Sequence, residues 1–320
     1  MKQPSAVNLQ VPLVGSPSAS LPVKRDLTLA YILSLVVAVL IAGVSAAGFV
    51  LASAGLYGVD TKVAAGVAPS TAGVLVPGFL AQDAINLILG LPILLGSLWL
   101  ARRGALIGLL LWPGALFYVL YTYTLYLVGA PFSALFLPHV ALVALSAYTT
   151  IGLVANVDGD AVRQRLAGVV PARTVGGILV ALALLTLAQD ASGALVTALA
   201  GGTSIDPVAH RVWIVDLAIE VPAVLAGGVL LWRREMLGYV AGAGLLLQFG
   251  LTPTGIAAII ALQPFLTASP IDVGTIVGLL IFCAVCFATL TFFVRGAASD
   301  QRAAAHSAKS AGSTAGRAGH

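Results

Sequence analysis

Eight successive stretches of more than twenty residues run almost free of charge, and each can cross about 30 Å of hydrocarbon at about 1.5 Å of helix rise per residue. The first, from Leu27 to about Leu56, follows Lys24, Arg25 and Asp26 without an internal break. The others run from about Val74 to Ala101, Ala105 to Val128, the turn after Pro131 to Asn156, Thr174 to Leu199, the stretch His210 to Gly238, Leu237 to Leu262 and Ile271 to Val294. A chain so patterned folds as an all-α polytopic membrane helix bundle of about eight transmembrane helices. Composition agrees: 59% of the 320 residues are apolar, 9% are charged and the mean hydropathy is +1.04, against about 45 to 50% apolar and about 25% charged in soluble domains. A water-soluble core is excluded.

Five parts follow. Residues 1–26 read as a disordered tail, 27–156 as a first four-helix half, 157–173 as a polar linker with Arg163, Arg165 and Arg173, 174–294 as a second half, and 295–320 as a second disordered tail with too few apolar residues to fold. The start of the chain lacks the charged region, apolar run and small-residue site of a cleavable signal. Lysine and arginine cluster before span one and after spans two, four, six and eight, whereas the opposite loops hold Lys62 and Arg211. The positive-inside rule therefore predicts that both termini are cytoplasmic. The net charge of +4 sits on these loops, so it reads as a topology signal and as contact with anionic headgroups. No basic, aromatic-interleaved groove suggests nucleic acid, and the expected partner is the lipid bilayer.

A constant sequence offset pairs Asn86 with Asp216, Gly90 with Glu220, Pro92 with Pro222, Leu95 with Leu225, Arg103 with Arg233 and Gly108 with Gly238. This predicts two four-helix repeats in the same orientation, a 4+4 parallel arrangement about an axis along the membrane normal. The alternative is chance recurrence of Leu, Gly, Pro and Arg at helix ends.

Intramembrane polar groups are the candidate site. Asp83, Asn86, His139, Asp190, Asp216 and Glu220 all fall in the half of the bilayer away from the basic loops, where they could line one pocket for a small solute or cation. Asp216 and Glu220 stand four residues apart, one turn along one face, so they need a partner, a proton or a cation. The competing reading is a set of interhelical hydrogen bonds, or an aspartate paired with Arg211. Asp83, His139, Asp216 and Glu220 are suitable in type for a divalent metal, but no ligand spacing ties them together. His139 beside Pro138 reads first as a hydrogen-bonded helix residue rather than a haem ligand.

Cys283 and Cys286 are spaced as a redox pair but lie mid-span among Phe, Val and Ala, which reads as packing. Tyr118, Tyr121, Tyr123 and Tyr126 read as an interfacial aromatic belt. No phosphate-binding loop, nucleophile elbow or cofactor motif is present, so no cofactor is expected and direct ATP use and hydrolase chemistry are unsupported.

The segments LGLPILLGSLWLARRGALIGLLLWPGALFYVLY, LVGAPFSALFLPHVALVALSAY and VWIVDLAIEVPAVLAGGVLLWRREMLGYV resemble a widespread group of uncharacterised bacterial polytopic integral membrane proteins. Asp216, Pro222, Arg233 and Arg234 carry the resemblance, which spans helices two to seven. It implies a bacterial cell membrane and a helix bundle, and it brings no activity with it. The residues themselves favour a secondary transporter or ion-coupled permease. A membrane enzyme and a non-catalytic structural or sensory subunit are the alternatives.

Overall fold

The computed structural model describes residues 21–53, 78–130, 132–201, 207–267 and 272–317. The polar stretch 57–70, with Asp60 and Lys62, lies outside the described residues, as do residues 1–20. The described residues form nine helices, eight of them long and apolar enough to cross a membrane. The spans are α1 (Thr28–Ser53), α2 (Gly78–Arg102), α3 (Leu106–Gly129), α4 (Phe136–Asn156), α6 (Ala172–Leu199), α7 (Ala209–Trp232), α8 (Met236–Thr267) and α9 (Val273–Arg317). Between α4 and α6 lies the short α5 (Gly159–Leu166). The protein is an all-α polytopic membrane protein.

Two helices form the centre. The apolar windows of α3 and α8 are 78% and 72% buried, against 17% for α6 and 28% for α4 and α9. Around them α2 and α4 pack on α3, α7 and α9 pack on α8, α6 packs on α7, and α1 packs on α4 and α2. Outward-facing Leu29, Val39, Ile151, Leu185 and Leu199 are all more than half exposed, as suits side chains solvated by lipid tails. Lipid offers no hydrophobic drive for helix association, so close van der Waals packing must hold the centre together. Where α3 crosses α8, Gly114 meets Gly244 backbone to backbone, and a Cβ added to Gly114 would come to 2.2 Å from the Gly244 carbonyl oxygen. Trp112 ties α1 to this centre, donating its indole N–H to Ser34 Oγ at 2.8 Å and packing 4.5 Å from the Tyr31 ring.

The α2–α3 and α7–α8 turns are built alike, atom for atom in their backbone bonding. Ala105 N–H bonds the Leu100 carbonyl and Gly104 N–H that of Ala101; at the corresponding positions of the second turn, Glu235 N–H bonds Leu230 and Arg234 N–H bonds Leu231. This is the Schellman closure of a helix, which needs a left-handed residue just past its end. Gly104 supplies it at φ 77° without strain, whereas Arg234 adopts φ 61° with a Cβ in place.

Three segments differ from expectation. Residues 21–25 are tied down rather than free: Val23 bridges Val157, Lys24 N–H bonds the Asn156 carbonyl and Asp158 N–H bonds that of Pro22. The linker contains the amphipathic α5, capped by the Asp158 side chain on Ala161 N–H at 3.2 Å, with Val162 and Leu166 buried against α8 and α9. The second tail is helical to Arg317 rather than disordered. A span that is already formed removes the cost of nucleation, and the Ala-rich sequence past Arg295 then extends it residue by residue. At the other end of this helix Asp272 accepts Thr275 N–H at 3.0 Å and its hydroxyl at 2.6 Å, which hold the Asp272 carboxyl below the ordinary carboxylate range.

Candidate functional site

Pro92 and Pro222 shape the two helices that carry the polar groups. Proline cannot donate to the carbonyl four residues back and its ring clashes with it, so a continuous helix must adjust there. Both helices adjust by one widened π-turn, over Asn86–Gly90 and Asp216–Glu220, in which the residue before the proline (Leu91, Val221) donates instead to the carbonyl of Asn86 or Asp216. Such turns are rare and recur at functional sites. Here each begins on a buried polar residue. The second ends on buried Glu220 and the first on Gly90.

The six candidate residues are all buried, and they divide into two groups. The first group is Asp190, Asp216 and Glu220. Asp216 lies within hydrogen-bonding reach of both Asp190 and Glu220, so the three carboxyls form a row across α6 and α7. Tyr121 of α3 donates a 2.6 Å hydrogen bond to Asp216 Oδ1. From α8, Gln248 Nε2 donates to Glu220 Oε1, and Thr252 Oγ1 lies 3.3 Å from the same oxygen and 3.1 Å from Gln248 Nε2. Among the described residues, Asp190 Oδ2 and Gln248 Oε1 are buried with no hydrogen-bond partner.

Asp190 reaches this row because α6 and α7 pack antiparallel at close range. Gly176 lies against Trp232, Gly228 against Leu179, and Gly193 against Trp213; the same register sets Asp190 opposite Asp216. Asp190 also continues the buried stripe Ala172, Gly176, Leu179, Ala183 along α6.

The second group is Asp83, Asn86 and His139, gathered around tyrosines. Tyr126 donates to Asp83 Oδ1 at 2.8 Å and lies 3.0 Å from the Phe79 carbonyl. Asn86 Oδ1 accepts from Tyr118 and from Gln82, each at 3.1 Å, and Asn86 Nδ2 reaches Tyr123 Oη at 3.5 Å. Ser45 Oγ lies 3.4 Å from Tyr123 Oη. The His139 ring packs 4.9 Å from Tyr126 and 5.6 Å from Tyr123.

Several expectations need revision. The tyrosines are not an interfacial belt: Tyr118, Tyr121, Tyr123 and Tyr126 are each at most 3% exposed and bond inward. Buried phenol hydroxyls need partners; Asp216 and Asp83 supply acceptors to Tyr121 and Tyr126, and Asn86 accepts from Tyr118. The Asp83, His139, Asp216 and Glu220 set is split between the two groups, and among the described residues no three of His, Cys, Asp and Glu are arranged to hold a metal ion. Arg211 Nη1 donates to the Gly129 carbonyl at 2.9 Å and its guanidinium lies 5.1 Å above the Phe79 ring. Cys283 and Cys286 are free buried thiols, Cys283 at 3.2 Å from Thr254 Oγ1.

Gln248 and Thr252 join the site without being expected from the sequence. Their signal was a lone amide and a hydroxyl one turn apart in an otherwise apolar span, which is visible but common.

The two groups occupy corresponding places. Gln248 stands as far beyond Tyr118 in the chain as Glu220 does beyond Gly90. On α2 a Cβ at Gly90 would lie 2.8 Å from the Tyr118 ring, so Tyr118 fills the space that the Glu220 side chain takes on α7. Comparison with protein-family models, curated proteins and solved structures finds no match.

Proposed function

We propose that this integral membrane protein is an ion-coupled secondary transporter for a small solute or cation, with Asp190, Asp216 and Glu220 as its proton-handling site. The observation that carries the reading is the row of three carboxyls inside the bundle, with Asp216 in hydrogen-bonding reach of both Asp190 and Glu220. Two carboxyls can share a hydrogen bond only if one holds a proton, and membrane acids that are kept at the cost of burial commonly convey protons or cations. Gln248 and Thr252 supply neutral partners to Glu220, so its charge can change without stranding a buried ion pair.

The matching π-turns, matching hairpins and the Gly114–Gly244 crossing support two parallel four-helix repeats about an axis between α3 and α8. In transporters built from repeats the ion and substrate groups lie between the halves, and discontinuous helices hold them. Tyr121 from the first half on Asp216 of the second is such a bridge. The basic ends of α2, α4, α6, α7 and α9 further support cytoplasmic termini, and the resemblance of α2 to α8 supports a bacterial plasma membrane.

The test is proton movement. Wild-type protein in liposomes carrying a pH dye should dissipate an imposed proton gradient, or couple it to solute entry, and Asp216→Asn should abolish this in protein that still elutes as a folded species. Turnover in detergent without any gradient would point to a membrane enzyme instead, and a stoichiometric co-purifying protein without flux to a subunit.

A further inference from the structure

At the other end of the bundle a cavity of about 620 Å³ opens between the α5–α6 connection and the α7–α8 hairpin. Its volume falls in the range of about 300 to 1,000 Å³ typical of small-ligand sites. Arg163, Arg173 and Arg234 line it, with Gly168, Thr174 and Tyr239. Arg163 is ion-paired to Asp160 at 3.1 Å, and no carboxylate is among the residues that line the cavity, so Arg173 and Arg234 bring it charge that no lining carboxylate offsets.

Two further features point to an anion. The cavity includes the first turn of the 28-residue α6, where Ala172 and Val175 N–H bond Val170 and Pro171. The Arg173 and Thr174 amides between them belong to the donors a helix start leaves over, and this end of the helix dipole favours negative charge. Tyr239 is 2% exposed, lines the cavity, and its hydroxyl makes no hydrogen bond to any described residue. A buried phenol left so is placed to donate to a ligand.

We infer that this cavity binds a phosphate group, presented by an anionic lipid headgroup or by a small soluble phosphate compound. Guanidinium groups match phosphate oxygens in two-point geometry, and the amides and hydroxyls of a helix start complete the shell. Depth fits either source. Arg173 and Arg234 lie at or just past the ends of α6 and α7, and half-exposed Trp232 beside them is the type of residue that settles at headgroup level.

The experiment is a thermal-shift titration of the full chain in a neutral detergent with short-chain phosphatidylglycerol, short-chain phosphatidylcholine and inorganic phosphate. Saturable stabilisation by phosphatidylglycerol over phosphatidylcholine supports the lipid source, and stabilisation by inorganic phosphate alone supports the soluble one. In either case Arg173→Gln with Arg234→Gly should weaken binding at least about tenfold. The second substitution also relieves a left-handed residue, so loss of fold would not explain the result. Arg102→Gln with Arg103→Gln removes equal charge from the same end outside the cavity and should leave binding unchanged. If neither phosphate probe stabilises the protein, if phosphatidylcholine does so equally, or if the two double variants respond alike, the inference is wrong.

Discussion

Gly114 and Gly244 touch main chain to main chain at the crossing of the two central helices, and they are separated in sequence by the same offset as Asn86 and Asp216. Helices that approach this closely leave no room for any side chain. Gly114→Ala would place its Cβ 2.2 Å from a backbone oxygen, and backbone cannot swing aside as a side-chain tip can. The expected cost is about 1 to 3 kcal/mol or more, read as a lower melting temperature in detergent. Gly152→Ala is the control: no atom lies within 4 Å of its added Cβ, and helix propensity favours alanine by about 1 kcal/mol. A melt in which Gly152→Ala is the more damaging change would contradict the packing described.

Tyr121→Phe removes the 2.6 Å bond to Asp216 and little volume. A buried acceptor that loses its donor costs about 1 to 3 kcal/mol in soluble proteins and about 0.6 kcal/mol in measured membrane cases. The variant should therefore fold. If Tyr121 positions Asp216 in the acid row, proton flux in liposomes should fall and its pH profile should move, whereas a purely structural tyrosine would lower stability with flux per folded molecule unchanged.

The acid row predicts linked infrared bands. Because Asp216 is in reach of both Asp190 and Glu220, Glu220→Gln should alter the protonated-carboxyl band of Asp216, and Asp190→Asn should do the same from the other side. Bands that are indifferent to each other's removal would mean three separately satisfied acids and no shared proton.

Gly90 and Tyr118 should behave as a unit. Gly90→Glu alone forces a side chain against the Tyr118 ring, 2.8 Å from the added Cβ, and should lower the melting temperature. Combined with Tyr118→Gln, the pair reproduces the Glu220 and Gln248 arrangement and should recover much of the loss. Additive damage in the double variant would show that the two π-turn sites are not equivalent.

Orientation is checked by labelling, with Cys283 and Cys286 replaced by alanine. Cysteines at Ser70 and Thr203 should react with an impermeant thiol reagent from outside the cell, and cysteines at Gln164 and Ser307 should not. The reverse pattern would turn the acid row toward the cytoplasm.

What the sequence by itself determined is what hydrocarbon imposes locally. Apolar run length set the eight spans, because a helix must satisfy its own backbone along the whole crossing. The constant-offset correspondence between α2 and α7 was also legible, since hairpin turns and π-turns are short-range features. Which polar groups meet was not. Periodicity could put Asp216 and Glu220 on one face, but Asp190 reached them only through the close antiparallel packing of α6 on α7. The tyrosines of α3 look the same in sequence whether they face headgroups or acids, and burial of α3 between α2, α4 and α8 decided it. The helical run past Arg295 escaped composition for a related reason: whether an Ala-rich segment folds depends on the helix it continues, which lies outside the segment itself.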